Sequence, residues 1–120
     1  MRIRKEQMEA FSQRQEEAFI DRMVKHLAED FPEERSARRI PESDLERLVR
    51  RGMEDAQRYG VVDEADVKLY LECMVILGPG FDEDPKIPWA RDILKDENRD
   101  GNAKMDEIHE HLLFGMEPTG

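Results

Sequence analysis

From Val67 to Leu77 the chain reads VKLYLECMVIL, which is its only long apolar stretch. The stretch follows Asp63, the expected N-cap, and stops at Gly78-Pro79-Gly80, a sequence that breaks helices. Beyond its second residue, only Glu72 is charged. A helix that is apolar on nearly every side belongs inside a protein, with other helices packed around it. We therefore predict an all-α fold, a compact bundle of about five helices around a buried central helix at about 63–77.

Two longer amphipathic helices are predicted before the central one. Residues 4–31 place apolar residues at helical spacing, with Ala18 on the same side: Met8, Phe11, Phe19, Ile20, Met23, Val24, Leu27 and Phe31. Phe31-Pro32 ends the pattern because proline disfavours helix at the residue before it. The polar residues 33–40 are predicted as a loop. The second helix is expected to begin at Ser43, with Glu46 completing a capping box, and to end at Tyr59-Gly60.

Two shorter helices are predicted after the central one, at 88–95 and 102–114. No run alternates apolar and polar residues between turn signals, so no strand is expected. A chain of 120 residues is enough for one domain, which we predict over 1–120 with flexible ends at about 1–3 and 115–120.

The charge is strongly negative and unevenly distributed. The net charge is −10, and residues 61–120 carry 15 acids against 6 bases, whereas residues 1–60 carry 14 against 13. This balance argues against nucleic acid and against an anionic membrane surface as partners. It leaves three interpretations open, namely a solvated surface, a basic protein partner or a cation site.

Features of export and catalysis are absent from the sequence. No apolar core follows the N-terminal MRIRK, and no stretch reaches the ~18 apolar residues of a membrane span, so a cytoplasmic protein is expected. The single cysteine, Cys73, is expected to be a buried thiol. His26, His109 and His111 are not spaced for chelation, and no nucleophile motif or phosphate loop occurs. We predict a protein that is not an enzyme and needs no cofactor.

One stretch has the spacing of a calcium loop. From Asp96 to Glu107 the chain reads DENRDGNAKMDE, which resembles the EF-hand loop. Asp96, Asn98 and Asp100 occupy positions 1, 3 and 5, a glycine occupies position 6, and Glu107 occupies position 12. Ala103 and the lysine after it do not fit positions 8 and 9, and the chain has no second loop. Our first prediction for residues 96–107 is therefore an ordinary turn between two helices, and calcium binding is the alternative.

The segment after the central helix, FDEDPKIP at 81–88, is expected to be irregular. Its apolar residues are expected to anchor the loop onto the bundle. The alternative is a patch that binds a protein partner, formed by Phe81, Asp82, Asp84, Ile87 and Trp89. Self-association through helix 4–31 is a third possibility, and the sequence leaves the oligomeric state open.

Three sequence motifs carry a family resemblance. They are DRMVKHL at 21–27 with its Phe31-Pro32 end, YGV at 59–61 with its following DV at 66–67 and Tyr70, and LGPGFDEDPKIPWA at 77–90. Together they resemble a family of small acidic bacterial proteins encoded beside type VI secretion spike and toxin genes, over about Ile3 to Leu113.

The resemblance implies a helper without catalytic residues. Such a protein would be an adaptor or chaperone that loads a secreted toxin, or an immunity protein that blocks one. Relatives usually have a turn with proline and alanine where this chain has 96–107, so calcium binding would be particular to this protein.

Overall fold

The computed structural model describes the backbone of residues 5–115 and the side chains of residues 14–114. That part of the chain is all-α, as predicted, and contains no strand. Its helices are α1 (Lys5–Asp30), α2 (Pro32–Ala37), α3 (Leu45–Arg58), α4 (Glu64–Ile76), α5 (Pro88–Leu94) and α6 (Gly101–Glu110). Two 3₁₀ turns occur at Glu42–Asp44 and Phe81–Glu83, and a π-helical turn at His111–Gly115 follows α6.

The chain forms two compact units, Met1–Arg50 and Arg51–Gly120, and the boundary falls inside α3. The prediction of one domain over 1–120 stays a prediction. Of the predicted flexible ends, 1–3 and 116–120 lie outside the described residues, and Gly115 closes the π-helical turn.

In the first unit, α1 ends at Asp30 as predicted, but the loop predicted at 33–40 is wrong. Pro32 follows the end of α1 and is the first residue of α2. Proline is tolerated in the first turn of a helix, because a backbone N–H at that position would have no partner within the helix. The α2 helix ends in a Schellman motif, in which Ile40 N–H donates to Arg35 O and Arg39 N–H to Ser36 O. Arg39 takes the left-handed conformation there, with φ 57°.

The apolar face of α1 is confirmed where its side chains are described. Phe19, Ile20, Met23 and Leu27 are buried. Ala18, which was expected on the same side, is exposed. The predicted apolar positions 8 and 11 lie outside the described side chains.

The capping box predicted at Ser43 is also wrong. Ser43 lies inside the 3₁₀ turn Glu42–Asp44, which begins directly after Pro41. The α3 helix then starts at Leu45 and has no serine cap. Leu45 itself is fully buried.

In the second unit, α4 is the buried helix that the sequence predicts. Tyr70, Leu71, Cys73, Met74 and Val75 are at most 1% exposed. Burial raises the pKa of the Cys73 thiol to about 12, so the thiol is held neutral. The α6 helix packs against both α4 and α5.

Gly52 allows α3 to approach α4 closely. A Cβ at Gly52 would lie 2.5 Å from Met74 Sδ and would overlap Leu71 Cδ2. In the sequence Gly52 lies on the apolar face of the second predicted helix, where we expect a glycine to allow a close helix contact, and this prediction is confirmed.

A left-handed glycine turns the chain from α3 toward α4. Gly60 has φ 79°, Gly60 N–H donates to Gln57 O, and Val61 N–H donates to Ala56 O. These are the two hydrogen bonds of a Schellman motif, and they confirm the predicted glycine cap. We call residues Tyr59, Gly60 and Val61 the Gly60 corner.

Candidate functional site

The predicted partner-binding segment turns its first two residues inward. Phe81 is 1% exposed, and its ring lies 5.0 Å from the ring of Tyr70. Asp82 is buried and accepts a hydrogen bond of 2.7 Å from the Tyr59 hydroxyl. The expectation of a loop anchored onto the helices therefore holds for Phe81. These two side chains are not on the surface that a partner could touch.

Tyr59 and Tyr70 differ in how their hydroxyls are satisfied. Burial is the main cause that raises the pKa of Tyr59, and the hydrogen bond to Asp82 raises it further. Burial also raises the pKa of Tyr70, helped by the charges of Asp82 and Asp55. The Tyr70 hydroxyl is buried and has no hydrogen-bond partner among the described protein atoms.

We expect Tyr59→Phe to lower the free energy of unfolding by about 1–3 kcal/mol, because it removes a hydrogen bond from a buried carboxylate. Tyr70→Phe serves as the matched control and is expected to change stability by less than about 0.5 kcal/mol, since no hydrogen bond is lost. Urea unfolding followed by circular dichroism measures both. Equal losses in the two variants would contradict the assignment of the hydrogen bond to Tyr59.

The remaining predicted partner-binding residues are half-buried and closer to solvent. Asp84 Oδ1 accepts from Lys86 N–H at 2.9 Å, which shapes the approach to α5. Ile87 precedes Pro88, the first residue of α5. Trp89 stacks on His111 with ring centroids 4.3 Å apart and an interplanar angle of 5°. This stack joins the start of α5 to the turn after α6.

An open cleft of about 320 Å³ lies beside the stack, and we call it the Trp89 cleft. It is lined by Trp89, Asp92, Ile93, Asp96, Glu107 and His111, together with Arg99. A larger concavity of about 710 Å³ is lined by residues of α3 alone, and its carboxylate Asp55 pairs with Arg51 and Arg58. Of these two concavities, the Trp89 cleft is the one that brings together residues from different elements.

Within the predicted calcium loop, an arginine occupies the place between the first and last acids. Arg99 Nε lies 3.2 Å from Asp96 Oδ2, and Arg99 Nη1 pairs with Glu107 Oε1. Asp96 Oδ1 also accepts from Asn98 N–H at 2.9 Å. Across the described part of the chain, no group of three or more His, Cys, Asp or Glu side chains is arranged to hold a metal ion.

The second half of that loop is helix and not a coordinating turn. Asp100 is the N-cap of α6, and its Oδ1 accepts from Ala103 N–H at 2.8 Å. Gly101, which was expected to make a sharp turn, instead packs against the Gly60 carbonyl. Lys104 is buried, and its ammonium donates to Tyr59 O at 2.9 Å. That carbonyl belongs to the end of α3, where a cation is favoured.

Calcium at millimolar concentration is expected to leave the melting temperature unchanged, because Arg99 already neutralises the two acids that would enclose the ion. Differential scanning fluorimetry with and without calcium measures this. A rise that Glu107→Gln abolishes would instead support the alternative of a calcium-binding protein. Magnesium at the same concentration controls for general screening of the acidic surface.

Several residues of this region were missed or misplaced by the sequence interpretation. Arg99 and His111 line the Trp89 cleft but carry no recognisable motif. Leu112 and Leu113 are apolar residues of the helix predicted at 102–114, but Leu113 is 56% exposed, and Phe114 is 69% exposed. The change from α-helix to a π-helical turn at His111 alters the spacing on which that prediction rested.

No family model, curated protein or solved structure matches this chain. The family resemblance drawn from the sequence motifs therefore stays an expectation. Among the helices that the structure describes, none combines the length and apolar character needed to cross a membrane.

Proposed function

We propose that the protein is a non-enzymatic interaction module that binds a secreted bacterial toxin or spike component of a type VI secretion system. In this proposal it acts in the cytoplasm, either as an adaptor or chaperone that loads the toxin or as an immunity protein that blocks it. The sequence motifs at 21–31, 59–67 and 77–90 support the choice of partner. The acidic charge of residues 61–120 supports a protein partner over nucleic acid.

The observation that carries the proposal is the half-buried Trp89 at an open cleft, in a part of the chain that also exposes large hydrophobic side chains. Val62, Leu113 and Phe114 are the large hydrophobic residues exposed among the described side chains. Two of the three, Leu113 and Phe114, stand two and three residues after His111 in the π-helical turn, and Trp89 is half-buried and stacks on that histidine. Exposed large apolar residues, and an aromatic residue that lines a cleft, are features that protein-binding surfaces share.

A tagged pull-down from the native organism, with bound proteins identified by mass spectrometry, tests the proposal. We expect one large toxin or spike protein to be recovered. Deleting the gene then separates the two roles, because loss of an immunity protein kills the cell whereas loss of an adaptor stops secretion. Recovery of no specific protein would contradict an interaction module of this kind.

Trp89→Ala is expected to weaken partner binding by about 2 kcal/mol or more, because an aromatic anchor next to a cleft contributes most of the energy of such contacts. The fold should lose less, about 1 kcal/mol, since the half-buried ring gives up mainly its stacking on His111. Val62→Ala removes an exposed apolar side chain that does not line this cleft and serves as the control. If Trp89→Ala unfolds the protein, Trp89 belongs to the core and its assigned role is wrong.

A further inference from the structure

We draw no further inference here: the strongest candidate, the exposed surface patch of Leu113 and Phe114 in the π-helical turn after α6, carries none, because nothing in the described part of the structure shows what covers it.

Discussion

Phe81→Ala is expected to lower the free energy of unfolding by about 3–5 kcal/mol, the range for removing a buried aromatic side chain. Phe81 is 1% exposed, and its ring contacts Tyr70 of α4 at a centroid distance of 5.0 Å. The short 3₁₀ turn that carries it, Phe81–Glu83, packs against α5, so the cavity cannot collapse easily. Urea unfolding followed by circular dichroism measures the loss.

Ile87→Ala is the matched control, because Ile87 lies in the same segment but is half-buried. Ile87→Ala should lower the free energy of unfolding by at most about half as much as Phe81→Ala, because folding removes less apolar area from water at Ile87 than at Phe81. A Phe81→Ala variant that keeps its stability but loses a partner would show that Phe81 binds the partner directly, which contradicts its burial.

Gly101→Ala is expected to cost about 3 kcal/mol or more, because the added Cβ would collide with backbone atoms. That Cβ would overlap the carbonyl oxygen of Gly60 and lie 2.8 Å from the Cα of Val61. A side chain could change its rotamer to avoid the added Cβ, but backbone atoms cannot. Either the Gly60 corner or α6 therefore has to shift. Thermal unfolding and urea unfolding both report the change.

Gly80→Ala is the control for this substitution, since a Cβ at Gly80 would meet nothing within 4 Å and its φ of −103° suits any residue. It should change stability by less than about 1 kcal/mol. Gly52→Ala should fall between the two, because the atoms in its way belong to the side chains of Leu71 and Met74. A Gly101→Ala variant as stable as Gly80→Ala would show that α6 does not pack on the corner.

The sequence predicted the helices whose signals are local and strong. The apolar run of α4 and the left-handed cap at Gly60 needed no tertiary information. The sequence did not predict α2, because its first residue can also mark the end of the helix before it and its last turn lacks the usual glycine cap. Its first residue is a proline that was interpreted only as the end of α1, and its left-handed cap is Arg39, where glycine is the usual residue.

The candidate site was harder to predict because its residues are defined by packing. Phe81 and Trp89 look alike in the sequence, yet one is buried and the other is half-exposed at a cleft. The spacing from Asp96 to Glu107 matches a calcium loop, but α6 begins at Gly101 and Arg99 pairs with both terminal acids. Spacing alone does not reveal an arginine that folds back between two carboxylates.

The contacts of the first turn of α6 also imply an order of assembly. Lys104 reaches Tyr59 across 45 positions of sequence, and Asn102 reaches Asp66 across 36, where its Nδ2 donates to Oδ2 at 3.0 Å. The Gly60 corner, in contrast, is closed by hydrogen bonds that span only a few residues. Loop closure over the longer spans is slower and gains nothing until the corner exists to receive the helix. We therefore expect the Gly60 corner to form before α6 packs against it.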